Sequence, residues 1–382
     1  MNLLQRPFWI GRIHALWRQK SIVWLSGVRR TGKTSLCRLL EPAIYFNCDL
    51  PSVQRQCLDP EFLLRELPPG KPLILDEIHR LADPSQLLKI AADVFPDRKI
   101  IATGSSTLDA SRKFRDTLTD RKRALHLPPV LWRECGEAFG GISLDRRLLH
   151  GGLPPQLLAA QPIPEFFEDW TDSFYARDIQ ELFGIRNRAG FLAVFKTVCL
   201  QNGGLLDVSH IARETGLSRA TVTAHLDALE IAHAVIRIPP FHGGGMKEIV
   251  RQPRVYAFDT GMVAHVRGWH DIREEDRGRL WENLVLDELR SGFPPASIHY
   301  WRDTAKREVD FVVEQGRVAH AIEAKINPER FQRDGLDAFR ALHPKGRNFV
   351  VCPHVANPYP LRRDGLSLTV CAPAHLPDLV LI

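Results

Sequence analysis

Residues 27–34 read GVRRTGKT, and the reading of that octapeptide decides how the rest of the chain is parsed. Gly27, Gly32, Lys33 and Thr34 fit the spacing G-x-x-x-x-G-K-[ST]. The two glycines let the backbone come close to phosphate oxygens. The N–H groups of the loop, those of Arg30 and Thr31 among them, and the N-terminus of a following helix supply partial positive charge. Lys33 adds a point charge suited to β- and γ-phosphates, and the Thr34 hydroxyl, with Ser35 beside it, suits a Mg²⁺ ion. The apolar run SIVWLSG (21–27) precedes the loop and KTSLCRLL (33–40) follows it. That is the order strand, loop, helix which gives the pattern its meaning. The bland alternative is a glycine-rich turn carrying an exposed lysine.

Working outward, KPLILDE (71–77) and RKIIATGSS (98–106) are further apolar runs, with helical stretches such as PSQLLKIAADVF between them. Strands alternating with helices predict an α/β fold, a parallel sheet covered on both faces. LILDE puts Asp76 at the end of a buried strand beside the loop, where it would hold Mg²⁺ through water, and Glu77 where it would polarise an attacking water. The alternative for that pair is a helix N-cap. Thr103, Ser105 and Ser106 end the third strand and are placed to sense a γ-phosphate; turn chemistry is the competing reading. SRKFRDTLTDRKR (111–123) carries Arg112, Arg115, Arg121 and Arg123. A solvated basic face is the favoured reading of each, with Arg121 or Arg123 the candidate to reach a neighbouring subunit's site.

The bounds are wide. At 382 residues the chain is too long for one ordinary core, so two to four domains are expected. The charge of +6 permits an anionic partner without requiring one. The seven cysteines never form C-x-x-C, which argues for thiols in a reducing compartment and against a zinc site or disulfide frame. No apolar run approaches the ~18 residues of a membrane span, and MNLLQRPFWIGRIHALWRQK has neither the apolar core nor the cleavage site of a secretory signal. A cytoplasmic protein without membrane contact is the expectation.

DVSHIARETGLSRATVTAHLDALEIAHAVIRI (207–238) reads as a helix-turn-helix. Gly216 is free to take positive φ in the turn, and Ser218 caps the second helix. Val222, Leu226 and Leu229 form its buried stripe, leaving Arg219, Ala220, Thr223 and Asp227 outside. AHAVIRI and RVYAFD flank a glycine-rich tip, FHGGGMKEIVRQP, which makes the unit a winged helix. Its second helix suits a DNA groove, with Lys247, Arg251 and Arg254 toward phosphates; docking of a protein is the alternative.

REVDFVVEQGRVAHAIEAK (307–325) reads as a hairpin. A two-residue turn at Gln315-Gly316 pairs Val313 with Val318 and Asp310 with Ala321, so that Asp310, Glu323 and Lys325 share one face. Glu282, on the helical stretch RLWENLVLDEL (279–289), can reach the same edge. Glu282, Asp310 and Glu323 offer oxygen ligands to one or two Mg²⁺ ions, and Lys325 can orient water, the needs of phosphodiester cleavage. An ordinary surface ion pair is the competing reading of E-x-K.

Taken in order, GVRRTGKTS, LILDEIH, TGSSTL, LPPVLWRE, GGLPP, YARDIQELF, VYAFDTGM, WENLVLDEL, YWRD, EVDFVV and IEAK resemble a family of prokaryotic predicted AAA+ ATPases over nearly the whole length. Where that family usually shows PLSF, this chain has LPPVLW (127–132). The resemblance implies a P-loop nucleotide-binding domain over 1–125, a helical lid and linker over 126–190, a winged helix over 191–258 and a restriction-endonuclease-like, PD-(D/E)xK domain over 259–382. It implies a Mg·ATP site at Lys33, Thr34, Asp76 and Glu77, and a nuclease-like centre at Glu282, Asp310, Glu323 and Lys325. ATP hydrolysis on DNA, in repair, recombination or mobile-element defence, is the expectation, in a self-associated ring or filament. A nucleotide-driven switch or scaffold that binds a protein partner, with a dead nuclease fold, is the alternative.

Overall fold

The computed structural model describes residues 4–104, 108, 112–136, 138–243, 252–363 and 365–381. The first sheet has strands β1 (Ile22–Ser26), β2 (Ile44–Asn47), β3 (Leu73–Asp76), β4 (Ile100–Thr103) and β5 (Lys122–His126), all parallel, in the order β2-β3-β4-β1-β5. Alternation along β1 divides the core. Ile22 and Trp24 join Leu73, Leu75, Ile100 and Ala102 on one face. Val23 and Leu25 join Trp9, Ile13 and Trp17 of the helix Pro7–Trp17 on the other. This is the parallel sheet of a P-loop nucleotide-binding fold, and its loops open at the C-terminal ends of the strands, where such sheets bind ligands.

Two of its strands carry little signal. In β2, IYFN is half-buried throughout. In β5, KRALH alternates weakly. Both are short edge strands, and neither is expected from the apolar pattern.

Helices fill residues 144–200, among them Leu144–His150, Phe166–Phe174 and Arg188–Leu200, with a π-helix over Tyr175–Gln180. The helices Val208–Thr215 and Arg219–Ile231 then form the predicted helix-turn-helix. Gly216 ends the first with φ of 67°, a left-handed turn that costs glycine little. The Ser218 hydroxyl caps the second by accepting from the Thr221 N–H at 3.1 Å. Strands β6 (Gly204–Leu205), β7 (Val235–Ile238) and β8 (Arg254–Ala257) make a three-stranded antiparallel sheet in the order β6-β8-β7.

The third sheet contains β9 (Ile298–Arg302), β10 (Glu308–Gln315), β11 (Val318–Ala324), β12 (Asn348–Val351), β13 (Tyr359–Arg363) and β14 (Leu366–Cys371), ordered β13-β14-β12-β11-β10-β9. The helix Glu274–Gly292 covers one face through Trp281, Val285 and Leu289, and Asp334–Leu342 covers the other through Leu336 and Phe339. The hairpin pairs Gln315 with Val318 and Val313 with His320, so Gly316 and Arg317 make the turn and the register differs from the expected one by two residues. A shift by an even number preserves the face: Asp310 and Glu323 remain together.

One cluster of buried side chains runs from Leu148 and Trp170 through Phe191 and Leu226 to Trp281 and Phe311. The linker, helix-turn-helix and C-terminal sheet therefore share a core. All seven cysteines are buried and free. Among the described residues no helix is long and apolar enough to cross a membrane.

Candidate active site

The loop between β1 and the helix Lys33–Arg38 needs its glycines. Gly27 has φ of 146°, and a Cβ there would sit 2.3 Å from the Leu127 carbonyl oxygen; Gly32 has φ of 92° at the helix N-cap. The Lys33 ammonium donates to the Gly27 and Val28 carbonyls at 2.9 and 3.0 Å. Burial lowers its pKa, and the nearby carboxylate of Glu77 opposes that shift. The buried Thr31 hydroxyl donates to the Val28 carbonyl at 3.1 Å, tightening the turn. Arg30 lies over the Phe166 ring at 5.1 Å.

Asp76 anchors the other side. The Thr34 hydroxyl donates to its Oδ2 at 2.8 Å, Tyr45 donates to the same oxygen, and Thr103 donates to Oδ1. A hydroxyl and a carboxylate brought together at a phosphate loop are the donor set that Mg²⁺ takes beside a nucleotide. Those residues fit the ion. Glu77 follows in the left-handed region, φ 57°. Its carboxylate stands 3.3 Å from His79 Nδ1, and burial raises its pKa, against the pull of Lys33.

Thr103 differs from its expected role. It is fully buried, donates to Asp76 and accepts the Glu77 N–H at 3.1 Å. It holds the acid pair in place and does not face the cleft. Ser105, Ser106, Lys247 and Arg251 lie outside the described residues, as do the side chains of Arg112 and Arg115. Arg121 is tied to Asp93 at 2.7 and 3.0 Å, and Arg123 to Gln19 at 3.0 Å.

Above the loop lies a cleft of about 910 Å³ lined by Gly32, Lys33, Thr34, Ser35, Glu77 and Arg177, among others. Its far wall is the π-helix Tyr175–Gln180, a widened turn of a kind frequent at functional sites. Asp178 pairs with Arg29 of the loop, and burial raises its pKa against that pairing. Arg177, one residue earlier, has no ion-pair partner among the described residues and lines the cleft. Sequence spacing carried no signal for either; only their place within YARDIQELF marked them.

The acid residues of the C-terminal sheet do meet. Lys325 Nζ stands 2.7 Å from Asp310 Oδ2 and 2.8 Å from Glu323 Oε2, and the Ala324 N–H donates to Asp310 Oδ2 at 3.0 Å. Tyr256 donates to Glu282 Oε2 at 3.3 Å. Arg254 enters from β8 with Nη1 3.7 Å from Glu282 and 3.9 Å from Asp310, and Nη2 2.8 Å from Glu308. Burial and neighbouring Asp310 raise both Glu282 and Glu323 above the usual carboxylate range. Asp310 is held down by Lys325 and Arg254, against its burial. The expected metal ligands Glu282, Asp310 and Glu323 thus face cations. Among the described residues no group of three or more His, Cys, Asp or Glu is arranged to hold a metal ion. The set does not fit Mg²⁺ as it stands. The expectation that Arg254 meets DNA phosphates is corrected too: it is 4% exposed and turned inward.

Residues 19–136 match the family described as an AAA domain. Together with the sheet and the loop, that match defines this part as an AAA-like P-loop ATPase domain. Residues 142–273 and 277–370 match two domains of unknown function, DUF8612 and DUF4143. Uncharacterized proteins of Mycobacterium tuberculosis and Mycobacterium bovis are each 28% identical over 337 residues, 85% of this chain and 74% of theirs. Among solved structures, a Walker-type ATPase of Pyrococcus abyssi is 16% identical, covering 69% of this chain and 96% of its own, at a TM-score of 0.43. The Orc1 protein of Aeropyrum pernix, solved in complex with DNA, is 13% identical over 73% of this chain and 95% of its own, at 0.29.

Proposed function

We propose that this chain is an ATP-hydrolysing AAA-like ATPase that acts on DNA. The observation that carries the hydrolytic half is the convergence of Lys33, Thr34 and Glu77 on one cleft, with Asp76 buried behind it and bonded to Thr34. Lys33 draws the β- and γ-phosphates into the loop, whose backbone N–H groups cradle them. Thr34 and Asp76 would hold Mg²⁺, which when bound spreads the charge of the phosphates. Glu77, its carboxylate less acidic than usual, takes the proton of the attacking water. Arg177 reaches the cleft from the helical side, and a ring or filament would bring an arginine of a second copy to the same phosphates.

The DNA half rests on the helix-turn-helix, read as a winged helix. Arg219, Ala220 and Thr223 are exposed on its second helix. Asp227, the acid on that face, is paired with Arg237 at 2.8 Å, so it opposes a phosphate backbone less than its charge suggests. The C-terminal sheet is read as a restriction-endonuclease-like fold that binds DNA. Repair, recombination and mobile-element defence are the settings that suit such a machine, in the reducing cytoplasm that buried free thiols tolerate.

The test is ATP hydrolysis by the purified chain with duplex, single-stranded and branched DNA. Turnover should rise several-fold with at least one form. Turnover indifferent to all of them would discard the DNA reading. A second reading, a nucleotide-driven switch that binds a protein and carries an inactive nuclease fold, is favoured by the cations that fill the acid cluster.

A further inference from the structure

The acid cluster on β10 and β11 is closed by a residue from a different sheet. Arg254 opens β8, the central strand of the three-stranded sheet beside the helix-turn-helix. Its side chain is buried, with its guanidinium 5.1 Å from the centre of the Tyr300 ring. Nη2 is satisfied by Glu308 at 2.8 Å. Nη1 is buried without a hydrogen-bond partner, yet it is aimed between Glu282 Oε2 at 3.7 Å and Asp310 Oδ1 at 3.9 Å. A buried donor left unbonded costs free energy. It is tolerated here because two carboxylates face it across a gap too wide for a hydrogen bond and short enough for strong attraction.

The cluster is therefore a group of carboxylates held apart by two cations, Lys325 and Arg254. Oδ2 of Asp310 and Oε2 of Glu323 are spanned by Lys325. Glu282 Oε2, which also accepts from Tyr256 at 3.3 Å, and Asp310 Oδ1 both stand within 4 Å of Arg254 Nη1, at 3.7 and 3.9 Å. Carboxylates sharing one buried site repel each other unless a positive charge stands between them. In phosphodiester-cleaving centres a divalent ion serves that purpose; here the position opposite Glu282 and Asp310 is taken by a side chain of the same polypeptide.

We propose that the Arg254 guanidinium replaces a divalent ion in this centre, so that the wild-type chain holds no metal between Glu282 and Asp310, and removing Arg254 creates a metal site there. The inference goes beyond the reading of the chain as a DNA-directed ATPase and is independent of whether DNA is its partner. It identifies the centre as an ionic joint between the helix-turn-helix sheet and the C-terminal sheet.

The test is binding of Mn²⁺ to the full chain without nucleotide, followed by electron paramagnetic resonance of the free ion. Wild type and Asp310→Asn should bind alike, since any weak Mn²⁺ at the phosphate loop is common to both. Arg254→Met should gain one Mn²⁺ site, lost again in the double variant Arg254→Met/Asp310→Asn, and Mn²⁺ should raise the melting temperature of Arg254→Met by several degrees. Arg254→Lys, which keeps the charge, should gain none. Mn²⁺ binding by wild type that Asp310→Asn removes would overturn the proposal. So would a folded Arg254→Met that gains no site, and so would an Arg254→Met that stays unfolded with and without Mn²⁺.

Discussion

The guanidinium of Arg6 and the carboxylate of Glu134 pair edge to edge, Nε to Oε1 and Nη2 to Oε2, both at 2.8 Å. The remaining nitrogen, Nη1, donates to the Thr31 carbonyl at 3.1 Å, and Glu134 also accepts from Trp9 Nε1 at 3.1 Å and the Leu131 N–H at 3.0 Å. The phosphate loop is thereby tied to LPPVLWRE through a buried pair. Arg133, the residue before Glu134, binds Glu288 of the helix Glu274–Gly292 at 2.6 Å.

Breaking that pair leaves a buried guanidinium uncompensated. Glu134→Ala should destabilise the chain by about 3–5 kcal/mol and raise the KM for ATP, because Arg6 loses the partner that aims it at Thr31. Urea unfolding with parallel steady-state kinetics measures both. A variant as stable as wild type would show that the pair contributes nothing net.

Lys33 lines the cleft, and its ammonium rests on the loop's own Gly27 and Val28 carbonyls. Lys33→Ala should abolish ATP hydrolysis while the circular dichroism spectrum and melting curve stay near those of wild type. Undiminished turnover in that variant would remove the phosphate-loop assignment.

Arg177 offers a positive charge to the cleft from the π-helix. Its removal should act on turnover more than on binding, since charge accumulates on the phosphates as the reaction proceeds. Arg177→Ala should lower kcat by about 10²-fold with a smaller change in KM, and Arg177→Lys should recover part of the loss. An unchanged kcat would assign Arg177 to the surface.

Asp287 is buried on the helix Glu274–Gly292 with neither oxygen hydrogen-bonded. Burial pushes its pKa up to about 7, against the pull of Arg147 and Arg290. An unfolded aspartate titrates near ~3.9, so the folded state binds this proton more tightly. The stability it contributes is present below ~3.9 and is lost as the pH rises toward 7, at up to about 1.4 kcal/mol per pH unit. Asp287→Asn should flatten that decline, which denaturant titrations between pH 4 and pH 8 would read.

The phosphate loop was legible because its meaning is local. Gly27, Gly32, Lys33 and Thr34 need only their spacing, a strand before and a helix after. The helix-turn-helix was legible on the same ground, through Gly216 and Ser218. The hairpin was half legible. Alternation put Asp310 and Glu323 on one face, but the turn fell on Gly316 and Arg317, a choice the strand pattern could not make. Strand β2, half-buried at every residue, offered no apolar pattern to read. Thr103 showed a polar strand end and nothing of which way its hydroxyl would face.

Sequence by itself established the nucleotide loop, the acid pair Asp76-Glu77 and the gathering of Asp310, Glu323 and Lys325, because each follows from neighbours along the chain whose geometry is set by strand, turn and helix periodicity. Tertiary structure alone decided that Arg177 and Asp178 face the loop, that Arg6 and Glu134 brace it, and that Arg254 fills the acid cluster. Those are pairings between distant segments. They depend on how separate sheets pack and which charges are left inside when water is excluded, and no spacing between residues records that.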